Sequence, residues 1–292
     1  MHQILDGKKT SLELQQEIAV AVETQINNGG KQPHLAAVLI GDDAASKAYV
    51  GHKVKACAKV GFKSTLIQRD STLSEDELLD IVKELNEDDS VDGFIVQLPL
   101  PDHINSQRVL EAINPSKDVD GFHPENVGRM SLGLPTFLPA TPSGMLVLLE
   151  RYGIKTQGMH AVVVGRSDIV GNPMSALLRR NAEPGNCTVT QCHSRTVDLK
   201  SHTLRADLLI TAIGKPNFIT ADMVKEGAIV IDVGINRISD DTRKSGSRLV
   251  GDVDFDNVAP KCSWITPVPG GVGPMTIAML LTNTLQASND RA

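Results

Sequence analysis

Cysteine is scarce in this 292-residue sequence, and Cys57, Cys187, Cys192 and Cys262 form neither a CxxC pair nor a zinc spacing. A chain of 31.3 kDa has core enough to do without disulfide staples, so buried free thiols are expected. The eight histidines include no HxxxH pair, and no protein-held metal is expected. Basic charge is also short. With 29 Lys and Arg against 35 Asp and Glu the formal charge is -6, which makes nucleic acid and anionic membrane poor candidate partners. No apolar run reaches about 18 residues, the length needed to span a bilayer. The opening Met1-His2-Gln3-Ile4-Leu5-Asp6-Gly7 lacks the basic and apolar regions of a signal peptide, so a cytoplasmic protein is expected. No internal repeat or low-complexity segment is evident.

What is present is alternation. Strand-like runs follow helical ones nearly throughout, which predicts an α/β protein with parallel sheets covered by helices, and the length favours two domains. Strands are predicted at 34–40, 63–68 and 91–98, with helices at 44–60 and 75–86. Ser74 and Glu77 form a capping box for the second of these helices. Residues 114–141 read as a loop-rich crossing between domains. Thr141-Pro142 reads as the N-cap and first position of a helix reaching Tyr152. Further strands are predicted at 160–165, 187–193, 206–212 and 228–233, with a short one at 248–253. Residues 237–248 read as an exposed loop.

The run Thr266-Pro267-Val268-Pro269-Gly270-Gly271-Val272-Gly273-Pro274-Met275-Thr276 is a shaped loop, because three prolines and three glycines in eleven residues suit neither a helix nor a central strand. Gly270-Gly271 would let main chain approach a flat ligand. Pro274 suits the first turn of the apolar helix expected at 275–285. In Val164-Gly165-Arg166-Ser167-Asp168-Ile169-Val170-Gly171 a buried strand meets a glycine turn and a helix, the place where a Rossmann unit binds pyrophosphate. The spacing is GxSxxxG, without the usual middle glycine. NAD-preferring sites commonly carry an acid after the next strand. Here Cys192-His193-Ser194-Arg195-Thr196 has none. Arg166 with Ser194 and Arg195 would suit a 2'-phosphate, favouring NADP over NAD, although any single arginine is also an ordinary surface residue. Residues 231–236, with Ile235 among them, end a later strand where the nicotinamide half would lie.

Tyr49 and Lys53 stand four apart on a helix and share a face. They would stack on a planar ligand and offer a proton acceptor, or else form part of an amphipathic helix with a snorkelling lysine. Gln97, in Ile95-Val96-Gln97-Leu98-Pro99, ends a buried strand and faces either a cleft or the loop backbone. Asp120 beside Gly121 serves a ligand, a turn or a helix cap.

Together these stretches closely resemble the bifunctional methylenetetrahydrofolate dehydrogenase/methenyltetrahydrofolate cyclohydrolase family, from Leu5-Asp6-Gly7 to the last helix. The resemblance rests on the Tyr49/Lys53 helix, on Gly93-Phe94-Ile95-Val96-Gln97-Leu98-Pro99-Leu100-Pro101 with residues 117–121, on the turn at 165–173 and on the loop at 269–276. GxSxxxG is itself the family's spacing. Ala140 in Pro139-Ala140-Thr141-Pro142 is a departure, since the family often has a cysteine there that is not catalytic.

The resemblance implies an N-terminal folate-binding catalytic domain over 1–140, completed by 274–292, and a Rossmann-type NADP-binding domain over 141–273, with the last helix returning to the first domain. It implies oxidation of 5,10-methylenetetrahydrofolate by NADP to 5,10-methenyltetrahydrofolate, then hydrolysis to 10-formyltetrahydrofolate, by a homodimeric enzyme of one-carbon metabolism. Larger members add a formyltetrahydrofolate synthetase domain, which 292 residues are not expected to hold. By the same resemblance Lys53 is the general acid/base and Gln97 holds it and polarises the reacting centre. Tyr49 stacks on the aminobenzoate ring and Asp120 accepts from the pterin N–H groups. Leu98, Pro99, Pro269, Gly270, Gly271 and Gly273 line the folate slot, while Gly165, Arg166, Ser167, Ile169, Ser194, Arg195 and Ile235 hold NADP. Two other readings are an NADP dehydrogenase of the shikimate dehydrogenase kind and a non-catalytic folate or nucleotide binder. The set Lys53, Gln97 and Asp120 argues against both.

Overall fold

The structure is a computed structural model describing residues 2–243 and 246–290. In chain order its first elements are β1 (Gln3–Ile4), α1 (Gly7–Asn27), β2 (His34–Ile40), α2 (Ala44–Lys59), β3 (Lys63–Arg69), α3 (Glu75–Glu87), β4 (Gly93–Val96), α4 (Ser106–Ala112) and α5 (Pro124–Ser131). Then come α6 (Ala140–Arg151), β5 (His160–Val164), α7 (Gly171–Arg179), β6 (Thr188–Cys192), α8 (Leu199–Thr203), β7 (Leu208–Thr211) and β8 (Ile229–Asp232). The last are β9 (Asn236–Ser239), β10 (Ser247–Val250), α9 (Phe255–Val258), β11 (Trp264–Ile265) and α10 (Val272–Asn289). Among the described residues no helix is long and apolar enough to cross a membrane. The chain forms two compact units, Leu12–Ala140 with Ile277–Ala292, and Met1–Ser11 with Thr141–Thr276.

The unit built on Leu12–Ala140 has a three-stranded parallel sheet in the order β3-β2-β4. Every residue of β2 is buried, which is why it reads as an apolar run rather than an alternation. α3 buries Leu78, Ile81, Val82 and Leu85, the i, i+3, i+4, i+7 stripe of an amphipathic helix. Its capping box forms as expected: the Glu77 amide donates to Ser74 Oγ (3.3 Å) and the Ser74 amide to Glu77 Oε2 (2.8 Å). That stripe packs with Val38, Phe94 and Val96 in one core, where Leu78→Ala would cost about 2–5 kcal/mol.

The stretch from residue 114 to 140 is not a crossing loop but a part of this unit, and it holds α5. Histidine is outside the usual set of cap residues, which hid the helix; His123 Nδ1 nonetheless accepts from the Glu125 amide (3.1 Å), and Pro124 takes the first turn.

In the other unit six parallel strands run β1-β11-β8-β7-β5-β6. β1 and β11 have two residues each, too short for any period to announce them. Their pairing, Gln3 with Trp264 and Ile4 with Ile265, is why residues 1–11 group here. Residues 237–248, expected to be an exposed loop, instead contribute most of the antiparallel hairpin β9-β10, registered from Val250 opposite Asn236 to Ser247 opposite Ser239. Their polar, half-exposed side chains disguised it; Lys244 and Ser245 lie outside the described residues. Thr141 is not an N-cap either. α6 already begins at Ala140, and the Thr141 hydroxyl bonds that of Thr276 at 2.9 Å. α10 begins at Val272, so Pro274 sits in its first turn, and from Ile277 onward it belongs to the unit of Leu12–Ala140.

Candidate active site

α2 starts at Asp43, whose carboxylate accepts from the Ser46 amide at 2.7 Å. From there the helical period puts Tyr49 and Lys53 on one face, and Lys53 is only 4% exposed. Its Nζ lies 4.8 Å from the centre of the Tyr49 ring and donates to Gln97 Oε1 at 3.3 Å. Gln97 follows β4 directly, and its Nε2 donates to Leu98 O at 2.7 Å, which leaves the amide oxygen turned to Lys53. Leu98 is half-buried and Pro99 exposed beside it.

Burial pushes the Lys53 ammonium below the usual lysine range, with Asp120 opposing that fall. Burial pushes the Asp120 carboxyl up, with Lys53 opposing and Asp118 adding to the rise. Each therefore feels the other's charge. A base and an acid each driven toward its neutral form mark a candidate proton-transfer site.

The turn that presents Asp120 is built by Asp118, which is buried. Its Oδ1 accepts from the Gly121 amide (3.1 Å), while its Oδ2 accepts from the His123 amide (2.7 Å) and Asn126 Nδ2 (2.9 Å). Gly121 has φ +75°, and a Cβ there would stand 2.7 Å from Leu138 C. Lys117, in the same motif, is bound to backbone of α3 and the residue after it. Its ammonium is buried and donates to Leu85 O (2.8 Å) and Asp88 O (2.7 Å), the negative end of α3.

The dinucleotide candidates lie in the other unit. A Cβ on Gly165 would stand 2.4 Å from Ala212 O, and one on Gly171 would stand 2.4 Å from Gly165 O, so both ends of GxSxxxG are glycine by necessity. At the position of the missing glycine, Ser167 Oγ accepts from the amides of Val170 and Gly171 (both 3.3 Å), capping α7. Arg166, Ser194 and Arg195 are exposed, and the segment after β6 is held by the His193 amide donating to Thr196 Oγ1 (2.8 Å). Ile169 and Ile235 expose 39% and 58% of themselves, apolar surface at two strand ends.

Sequence reasoning gave no role to Asp252, which is fully buried. Its carboxylate accepts from the amides of Ile213 (2.7 Å), Gly214 (3.1 Å) and Lys215 (2.9 Å) and from Asn236 Nδ2 (2.9 Å). It thereby fixes the segments that follow β7 and β8. Asp232 fixes Asp252 in turn, accepting from the amides of Gly234, Asp252 and Val253 at 2.9–3.0 Å. Burial, with Asp252 beside it, pushes the Asp232 carboxyl up to about 6. The signal available was Asp in Gly251-Asp252-Val253, an acid inside an apolar reading.

In the loop of Pro269, Gly270, Gly271 and Gly273, Gly270 has φ +109° and its carbonyl accepts from the Lys8 amide (2.8 Å). A Cβ on Gly271 would stand 2.6 Å from Pro267 O, whereas one on Gly273 would meet only Ile235 Cδ1 at 3.4 Å. The fold itself needs Gly271; Gly273 is under no such constraint.

The model for the catalytic domain of tetrahydrofolate dehydrogenase/cyclohydrolase matches residues 5–120, and the model for its NAD(P)-binding domain matches residues 139–292. The bifunctional protein FolD of Cytophaga hutchinsonii is 64% identical over 286 residues, covering 98% of this chain and 99% of that protein. The crystal structure of the bifunctional enzyme FolD-methylenetetrahydrofolate dehydrogenase/cyclohydrolase from Campylobacter jejuni has a TM-score of 0.94 at 48% identity over 100% of both chains. That of the Trypanosoma brucei N5,N10-methylenetetrahydrofolate dehydrogenase-cyclohydrolase, complexed with NADP cofactor and inhibitor, has a TM-score of 0.93 at 35% identity, covering 99% of this chain and 98% of that one.

Proposed function

The chain belongs to the tetrahydrofolate dehydrogenase/cyclohydrolase family, and from that premise we propose how its residues divide the work. It is a bifunctional enzyme that oxidises 5,10-methylenetetrahydrofolate to 5,10-methenyltetrahydrofolate with NADP and hydrolyses this product to 10-formyltetrahydrofolate. The observation that carries the assignment of roles is the buried Lys53, held between the Tyr49 ring and Gln97 and coupled to Asp120.

Lys53 is the proton carrier of hydrolysis. Its lowered pKa supplies a neutral amine nearer to neutral pH than an exposed lysine would, so Nζ can take a proton from the attacking water. Gln97 holds that nitrogen in place and polarises the reacting centre. Tyr49 gives the aminobenzoate ring a stacking face, and Leu98 and Pro99 continue that wall. Asp120 accepts from the pterin amino and ring N–H groups. Pro269, Gly270 and Gly273 contribute main chain to the folate slot, with Gly271 shaping the loop.

The residues present fit NADP. Gly165 and Gly171 leave room where a Cβ would intrude on backbone, and no acid stands in His193-Ser194-Arg195-Thr196 directly after β6 to compete with a 2'-phosphate. Arg166, Ser194 and Arg195 would hold that phosphate, Ser167 and Ile169 the turn, and Ile235 the nicotinamide end. When bound, NADP accepts the hydride from the methylene carbon. By the family resemblance we assign 1–140 with 274–292 to folate and 141–273 to NADP, although residues 1–11 and 274–276 group with the second of these. The assembly and place we infer from the family resemblance are a homodimer in the cytoplasm.

An ultraviolet assay with 5,10-methylenetetrahydrofolate and either NADP or NAD, read for methenyltetrahydrofolate before and after acidification, tests both activities at once. Reduction of NADP with no methenyltetrahydrofolate seen until acid regenerates it is expected when both activities run. Turnover with neither nucleotide would defeat the reading.

A further inference from the structure

An asparagine is a weak helix former, and burying its amide costs free energy unless both ends are bonded. Asn283 nonetheless sits in the apolar run of α10, 5% exposed, between the fully buried Leu280 and Thr284 and the nearly buried Ala287. Its Nδ2 donates twice, to Val119 O at 2.8 Å and to Leu138 O at 3.0 Å. Those carbonyls belong to the two strands of chain that enclose Asp120. Val119 precedes it, and Leu138 underlies Gly121, whose absent side chain lets the strands touch. The Ala140 amide closes the same clasp on Asp120 O at 3.3 Å, and Asp118 fixes the far side of the turn through the Gly121 amide.

We propose that Asn283 is a positioning residue for Asp120, fixing from the last helix the backbone that aims this carboxylate at the folate. The proposal rests on the assignment of Asp120 to the pterin. It also gives a physical reason why the last helix belongs to this unit: α10 supplies the pair of donors that two facing carbonyls would otherwise lack. Removing those donors leaves the buried Val119 carbonyl and the half-buried Leu138 carbonyl unmatched, and the Asp120 turn relaxes. The expected defect is in folate affinity, not in NADP binding, because every bond concerned lies within Leu12–Ala140 and Ile277–Ala292.

The test compares Asp120→Ala, Asn283→Ala, the double variant and Asn283→Ser, with KM and kcat for hydrolysis of 5,10-methenyltetrahydrofolate and calorimetric affinity for NADP. Asn283→Ala should raise KM for the folate by about tenfold, the scale of a lost buried hydrogen bond, with kcat reduced less and NADP affinity unchanged. Asn283→Ser, which keeps one donor, should recover part of the loss. The double variant should be no worse than Asp120→Ala alone, since both act at one carboxylate. A merely structural role would lower the amount of active enzyme and leave KM alone. If Asp120→Ala raises KM while both folded Asn283 variants keep the wild-type value, the positioning role is overturned and the pterin assignment stands. Additive losses in the double variant would overturn it too. If Asp120→Ala leaves KM unchanged, the pterin assignment itself falls, and this proposal with it. Should Asn283→Ala not fold, Asn283→Ser carries the comparison.

Discussion

Lys53 Nζ is held 3.3 Å from Oε1 of Gln97, a neutral acceptor, rather than by a carboxylate in direct contact. A buried ammonium whose direct hydrogen-bond partner is neutral releases its proton more readily than one locked in an ion pair. Lys53→Met keeps much of the stem and removes the amine. Cyclohydrolase turnover should then fall by roughly 10²–10⁴-fold, the usual scale of general acid–base catalysis. Dehydrogenase activity, which depends chiefly on alignment, should fall less, so methenyltetrahydrofolate accumulates. Wild-type hydrolysis by the folded variant would assign the proton transfer to another group.

The same substitution should not weaken the fold. A folded-state pKa below the ordinary 10.5 means that the unfolded chain holds the proton more tightly. The ammonium therefore opposes folding at neutral pH, and that opposition fades as the pH rises through its lowered value toward the ordinary one. Lys53→Met should be at least as stable as the wild type near pH ~7, with the advantage shrinking toward pH ~10. Urea denaturation at both ends of this range checks it; a large loss of stability at neutral pH would show that Lys53 is structural.

Asp232 carries a pH dependence of opposite direction. Its carboxyl is raised to about 6 from an ordinary 3.8, so on acidification the folded state binds a proton before the unfolded chain does. That term stabilises the fold as the pH falls through about 6, is complete below about 4, and is lost again as the pH rises. The stability difference between wild type and Asp232→Asn should therefore move in favour of the wild type across this window. A difference flat in pH would mean that Asp232 titrates normally.

Legibility in the sequence tracked the length over which a pattern repeats. α3 was readable because four apolar positions and a two-residue cap agree, and β2 because seven buried residues run together. The face shared by Tyr49 and Lys53 comes from one helical turn. The features that escaped depend on partners distant in sequence. β1 exists only through its pairing with β11, 261 residues away, and β11 through β1 and β8, while Asp252 and Asn283 act on backbone 37 to 39 and 145 to 164 residues away. No repeat was evident, yet His34 and His160 open β2 and β5 with the same contacts. Their amides donate to Asp92 Oδ2 and Asp207 Oδ2 (both 2.9 Å), and their Nε2 atoms meet Thr65 Oγ1 (2.8 Å) and Thr190 Oγ1 (2.9 Å). Three side chains spread over some fifty residues leave no periodic trace. The cleaner errors, Thr141 as a cap and 237–248 as a loop, arose where a local preference was overridden by a tertiary bond or by strand pairing.

Nucleotide preference is proposed to rest on Arg166 and on the segment after β6. The cap that Ser167 makes on α7 leaves Arg166 outside the turn and exposed, and Ser194-Arg195 is exposed where an NAD-selective acid would stand. An arginine whose only task is the 2'-phosphate contributes nothing to NAD. Arg166→Ala should therefore weaken NADP by the worth of a charge-assisted hydrogen bond, about 1.5–3 kcal/mol or roughly 10- to 150-fold, and leave NAD nearly unchanged. Calorimetric titration of the variant with each nucleotide separates the cases. Equal losses would mean that Arg166 holds the shared pyrophosphate, and the selectivity would then have to reside in Ser194 and Arg195.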